Sequence, residues 1–161
     1  MSDTVIRRAT AADMPAVGRL GALLVQTHYD FDPQRFMRPT RGTPAGYGSF
    51  LGTQLDDPDV AVLVAERDGA VVGYAYMAME GRDYMSLRDE AGVLHDIIVD
   101  PEARRGGVGR KLLAAALEFL KDRGAPRVVL STAARNEPAQ RLFASMGFRE
   151  TMIEMTRELG D

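Results

Sequence analysis

Between Pro101 and Leu113 the chain reads PEARRGGVGRKLL, a glycine-rich turn with four cationic side chains. An apolar run, Val93 to Val99, precedes it and reads as a strand that ends at Asp100-Pro101, because the residue before proline is pushed to extended geometry. Leu112, Leu113, Ala116, Leu117 and Leu120 follow at helical spacing, up to Gly124. A strand that runs through a tight glycine turn into a helix belongs to an α/β layer architecture. The arrangement aims the unpaired N–H groups and the positive dipole end of the helix at one point, where an anion is favoured. Gly106, Gly107 and Gly109 let the backbone come close to that anion, and Arg104, Arg105 and Arg110 add charge-assisted donors. The rival reading is a plain connection with solvated arginines. It sits badly with three clustered glycines, each costing roughly 1 kcal/mol of helix propensity inside a helix.

The rest of the chain fits one α/β domain over residues 1–161. Thr4 to Arg8 reads as a strand and Thr10 to His28 as a helix, with Thr10 and Asp13 forming a capping box. Tyr29 to Gly48 mixes three prolines with aromatics and reads as a functional or packing loop, followed by a short helix over Ser49–Leu55. Two β-rich runs flank Arg67-Asp68-Gly69, a strong hairpin signal. After the glycine turn and its helix come a strand at PRVVLST, a helix from Pro138 to Met146 and a last strand from Phe148 to Thr156. The expected order is β-α-α-β-β-β-α-β-α-β around a mixed sheet.

Composition removes several classes of function. The net charge of −3 argues against a general nucleic-acid binder. Without cysteine there is no disulfide, thiolate metal site or cysteine nucleophile, and His28 and His95 are too few for a multi-histidine metal centre. No metal is expected. The chain starts without the apolar core of a signal peptide and has no stretch near the ~20 apolar residues of a membrane span, so a cytoplasmic protein is expected.

The identity of the anion is constrained by two failures. A P-loop needs Gly-Lys-Ser/Thr, and Gly109 is followed by Arg110-Lys111-Leu112. A dinucleotide fingerprint needs a third glycine where Leu112 stands, and PRVVLST ends without the acidic residue. LHDIIVDPEARRGGVGRKLLAAALEFLKDRG resembles instead the central strand, pyrophosphate loop and helix of the GNAT superfamily of acetyl-CoA-dependent N-acetyltransferases. The family's Gln/Arg-x-x-Gly-x-Gly/Ala consensus is met by Arg104, Gly107 and Gly109, and NEPAQRLFASMGFRE is similar to its later asparagine-led helix. The resemblance implies a central, mixed, mostly antiparallel twisted sheet flanked by helices, with acetyl-CoA wedged between two splayed strands. It implies that Ile97, Ile98 and Val99 pair with the pantetheine arm. The backbone from Arg105 through Gly106, Gly107, Val108 and Gly109 to Arg110 would hold the pyrophosphate. Asn136 would bond the coenzyme arm as well as cap its helix.

The activity so implied is acetyl transfer to a primary amine of a small molecule or a protein. A free amine of pKa ~10.4 is almost wholly protonated at neutral pH and needs a base. His95, two residues before Ile97, is the first candidate, with a purely structural strand histidine as the equal alternative. Asp96 is the second candidate, better suited to orienting substrate. Simple alternation turns it to the opposite face unless a bulge intervenes. Ser131 stands where some relatives carry a catalytic glutamate. Phe143 replaces the tyrosine that many relatives use as general acid; it keeps the ring as a packing surface but has no proton to give. That departure keeps open a non-catalytic acyl-CoA sensor. Tyr29, Asp30, Glu80 and Tyr84 are the expected walls of the acceptor cleft, again by resemblance. A homodimer is compatible with the family and with the apolar positions in ETMIEMTREL, although one chain could cover that strand itself.

Overall fold

The computed structural model describes residues 3–104 and 106–160. In chain order the elements are strand β1 (Val5–Arg8), helices α1 (Met14–Phe31) and α2 (Thr43–Gly52), and strands β2 (Val60–Arg67), β3 (Ala70–Glu80) and β4 (Ala91–Val99). Helix α3 (Val108–Asp122), strand β5 (Val128–Leu130) and helix α4 (Glu137–Ser145) follow. The strands form one sheet in the order β1-β2-β3-β4-β5. Every neighbouring pair is antiparallel except β4 and β5, which run parallel. This is the expected mixed, mostly antiparallel sheet flanked by helices, with one strand fewer than expected. Phe148–Thr156 forms no strand: residues 149–160 are exposed and carry no sheet pairing. Alternating side chains are necessary for a strand, but a ladder also needs a second backbone, which a local pattern cannot supply.

Local signals explain the first helix. The Asp13 carboxylate accepts the Thr10 backbone N–H at 2.8 Å, and Arg7 grips the same carboxylate through two donors at 2.7 and 2.9 Å. These contacts tie β1 to the start of α1 and lower the Asp13 pKa to about 2, the Arg7 hydrogen bond being the largest cause. Helix α1 ends at Phe31, so Tyr29 and Asp30 belong to its last turn rather than to a loop. The stop comes at Asp32, extended at φ −157°, because Pro33 follows it. Helix α2 starts at Thr43, earlier than expected, with Pro44 tolerated in its first turn. The two helices cross closely where Gly21 faces the ring of Tyr47; a Cβ on Gly21 would lie 2.4 Å from that ring.

Strand β2 is apolar on both faces, so the sheet carries two cores. Leu63, Met77, Leu94, Leu112, Leu113, Leu120 and Phe143 pack on the α3 side, and Met14, Val17, Leu20, Leu51, Val64, Tyr74 and Ile98 on the α1–α2 side. Leu94 and Ile98 lie on opposite faces although they are an even number of positions apart. The reason is a bulge: Tyr76 pairs with Asp96 and Met77 with Leu94, leaving His95 as the extra residue.

Candidate functional site

Asp96 shares the face of Tyr76 and Ile98, against α1 and α2, and the bulge turns the His95 ring onto Tyr76 of that same face. Both line a cavity of about 240 Å³. Its walls come from α1 (Leu24, Val25, His28), the following loop (Phe36, Met37), Tyr47 of α2, β4, and the segment from Leu130 to Phe143.

Strands β4 and β5 form one flank of this cavity. They pair only over Gly92–Leu94 and Val128–Leu130, so β4 from His95 to Val99 has no ladder partner on that side among the described residues. Ile97 lines the cavity, Ile98 is buried in the α1–α2 core, and Val99 is half-buried. Opposite stand Ser131, Thr132, Asn136, Ala139 and Phe143. The Asn136 side chain accepts the Ala139 N–H at 3.3 Å, so its capping role is met. Phe143 is 7% exposed and packs on Phe148, an apolar wall with no proton to donate.

The glycine turn lies beyond the open end of β4. Asp100 caps a 3-10 turn over Pro101–Ala103, and the Arg104 Nε lies 3.5 Å from the Val99 carbonyl it faces. Gly107 is the N-cap of α3 at φ +74°, left-handed backbone that an L side chain adopts only with strain. The Gly107 carbonyl accepts the Lys111 N–H at 3.0 Å, so the N–H groups of Val108, Gly109 and Arg110 precede the first helical bond. The Val108 side chain is fully buried and anchors the turn. Gly109 lies close under Leu142 and Val99, and the Arg67 guanidinium lies beside Gly106. Arg110 donates to the Ser145 hydroxyl at 2.8 Å, which ties α3 to α4. The expected role of Arg105 falls outside the described residues.

Asp96 is the electrostatic centre of the cavity. Burial pushes its carboxyl above the usual carboxylate range, against hydrogen bonding from Tyr74 and Tyr47. The Tyr74 hydroxyl donates to it at 3.0 Å. Burial, reinforced by the Asp96 charge, raises the pKa of both Tyr74 and Tyr47, so they stay protonated donors. His95 stacks on Tyr76 with ring centroids 5.0 Å apart, and its Nε2 lies 2.5 Å from Glu80 Oε2. Arg88 also reaches Glu80, at 3.4 Å.

The acceptor walls read from the sequence do not line this cavity. Tyr29 accepts a hydrogen bond from Arg38, Asp30 accepts one from Gln26, and Tyr84 is 74% exposed on the turn after β3. Glu80 reaches the cavity through its contact with His95. This cavity is lined instead by His28, Phe36, Met37 and Tyr47, among others. His28 donates Nδ1–H to the Leu24 carbonyl at 2.8 Å and packs edge-on against Phe36. The i, i+4 spacing of Leu24 and His28 on the inward stripe of α1 was the one local signal for them.

The chain is similar to known proteins in sequence and in fold. The mycothiol acetyltransferase of Acidothermus cellulolyticus is 34% identical over 112 residues, covering 65% of this chain and 34% of that protein. The chain thus spans about a third of that relative's length. An N-acetyltransferase of Bacillus subtilis described as uncharacterized, YhfO, is 27% identical over 145 residues, covering 90% of this chain and 89% of its own. A mutant of the BH1408 protein of Bacillus halodurans shares the fold with a TM-score of 0.81 at 22% identity, covering 96% of this chain and 99% of that one. A family model described as Acetyltransferase (GNAT) family matches residues 22–148, and the chain belongs to that family.

Proposed function

We propose that the protein is a cytoplasmic N-acetyltransferase that moves the acetyl group of acetyl-CoA directly to a primary amine. One observation carries the reading: the edge of β4 beyond its pairing with β5, without a ladder partner among the described residues, runs from a glycine-rich helix N-terminus at one end to a cavity holding His95 and Asp96 at the other. The donors before α3 suit a pyrophosphate, and the open backbone of Ile97 and Val99 suits the amide groups of a pantetheine arm. Acetyl-CoA, when bound, supplies an activated acyl group and a thiolate leaving group.

The acceptor enters between His28, Phe36, Met37 and Tyr47, as a primary amine narrow enough for a cavity of about 240 Å³. Asp96 holds its ammonium, and the Tyr74 and Tyr47 hydroxyls hold Asp96. His95 takes one proton from that ammonium. Glu80 fixes the ring by accepting from Nε2–H, which leaves Nδ1 as the basic nitrogen. The amine nitrogen then attacks the thioester carbonyl carbon. The C–N bond forms and the C–S bond breaks, the nitrogen passes its second proton to solvent, and the thiolate takes a proton from solvent in place of the tyrosine hydroxyl that Phe143 lacks. A thiol of pKa ~8.5 leaves without a strong acid.

The test is thiol release against a broad panel of primary amines, with His95→Ala and Glu80→Gln alongside. Turnover with at least one amine is expected. His95→Ala should lower kcat about a hundredfold. Glu80→Gln should lower it less and move the alkaline rise of the pH–rate profile, as loss of a positioning carboxylate would. A full rate for His95→Ala across neutral pH overturns the base assignment. Phe143 favours one second reading, a non-catalytic acyl-CoA sensor; tight acetyl-CoA binding with no turnover on any amine would establish it.

A further inference from the structure

We propose that Arg88 is a positioning residue for the reaction: it holds the Glu80 carboxylate against the His95 ring and offsets the charge that Glu80 presents to it. The inference rests on the reading of His95 as the base. Glu80 lies four positions after Tyr76 on β3, so both face the same side of the sheet. Arg88 Nη2 donates to Glu80 Oε1 at 3.4 Å, and Glu80 Oε2 lies 2.5 Å from His95 Nε2. Each oxygen of one carboxylate is thus engaged by a different partner. Glu80 is the one side-chain partner of Arg88 among the described residues. The Arg88 side chain is 19% exposed, and its Nε is buried without a hydrogen-bond partner among the described residues. A guanidinium mostly buried on one long contact recovers little of its desolvation cost. Stability therefore does not explain an arginine at this place.

The turn between β3 and β4 fixes the direction of this side chain. Asp83 and Arg88 exchange two backbone hydrogen bonds, at 2.9 and 3.0 Å, which close the turn as an antiparallel bridge. Inside it the Asp83 carboxylate accepts the Ser86 hydroxyl at 2.8 Å and the Met85 N–H at 2.9 Å, and these bonds hold its pKa below the usual carboxylate range. Leu87 takes left-handed backbone at φ +55° just before Arg88, a conformation that a bulky residue keeps only where its surroundings impose it. Arg82 and Asp89 pair at 3.0 Å across the same turn. The other groups about the Glu80–His95 pair are Tyr76, stacked on the ring, Asp96 beside it on β4, and His28 of α1 in the same cavity. Asp57, after α2, acts on Tyr76, and Asp59, Glu90 and Arg123 share a second cavity with Glu80. Among the described residues, Arg88 is the arginine that pairs with the Glu80 carboxylate. Removing Arg88 exposes His95 to the whole charge of Glu80, and removing that charge does the opposite.

The two changes have opposite signs, which a merely structural role would not produce. The readout is the titration of the His95 ring followed by NMR, which needs no turnover; His28 is the one other histidine, and His28→Gln identifies its signal. Arg88→Met should move the His95 midpoint to higher pH by about half a unit or more, as a positive charge leaves a partly screened site. Glu80→Gln should move it to lower pH. The alkaline rise of the thiol-release profile should follow each midpoint, and kcat should fall in Arg88→Met as the carboxylate loses its second anchor. Arg88→Lys keeps the charge without the planar fork, so it should restore the midpoint and a part of kcat. Arg88→Gln, polar and nearly as long, guards against a variant that fails to fold. A midpoint that stays in place, or moves to lower pH, in Arg88→Met and Arg88→Gln overturns the proposal. A midpoint that moves as expected while the rate profile does not follow overturns His95 as the base and leaves the hold of Arg88 on Glu80 standing.

Discussion

The two ends of the cleft are built from different materials. At the proposed coenzyme end the working groups are backbone: the N–H groups before α3 and the edge of β4 beyond its pairing with β5. At the proposed acceptor end they are side chains: Asp96, held by Tyr74, with Tyr47, His28, Phe36 and Met37 lining the same cavity. A backbone site is disturbed by a change of chain conformation or by bulk placed in the seat, and tolerates other replacements. A side-chain site can be redirected by single substitutions that leave the fold intact. One family can therefore keep its donor while its acceptor changes.

The strongest way to break the contrast is Gly107→Glu, which places bulk and negative charge in the anion seat and forces a side chain onto left-handed backbone. Calorimetry should show at least about a hundredfold weaker binding of coenzyme A, through lost charge-assisted hydrogen bonds. Unchanged affinity would remove the glycine turn from the site.

A change at the other end should leave the coenzyme affinity alone. Asp96→Asn should lower kcat/KM for the amine by about ten- to a hundredfold, with the Kd for coenzyme A unchanged. Stability should move the opposite way. Burial raises the pKa of Asp96 in the folded protein, so its ionisation opposes folding once the pH exceeds the unfolded value. The variant should thus melt higher than the parent at neutral pH, and the gap should close as the pH falls below about 4. A lower Tm at neutral pH would make Asp96 a structural residue.

Asp13 gives the smallest effect and the reverse sign, away from both ends. Arg7 holds its folded pKa at about 2, below the usual value of 3.8. Its contribution is therefore complete above about pH 4 and is lost as the pH falls toward about 2. The Asp13 side chain is only 10% exposed. Asp13→Asn should cost about 2 kcal/mol in denaturant unfolding at neutral pH, and little near pH 2. Binding of coenzyme A should not change.

The same division explains what could be read from the chain. Glycine positions, a strand end at Asp100-Pro101, a helix cap at Asn136 and the Asp68-Gly69 hairpin turn are local signals. Asp68 and Gly69 adopt positive φ, at +54° and +78°, as such a turn demands. The coenzyme end consists of such signals, which is why its elements could be placed along the chain. The acceptor end depends on contacts between distant segments. His28 was visible as a histidine but not as a wall, because Phe36 packs on it from the turn after α1 and Tyr47 joins the same cavity from α2. Glu80 was expected at the amine and lies instead against His95, fifteen residues away in sequence.

By itself, then, the order of residues determined the α/β layering, the glycine turn and the helix caps, since each depends on neighbours within a few positions. Tertiary structure alone decided the rest. The bulge at His95 depends on how β3 pairs with β4, and it brings His95 and Asp96 into one cavity. The segment Phe148–Thr156 has the alternation of a strand, and whether it becomes one depends on a partner backbone that no local pattern contains.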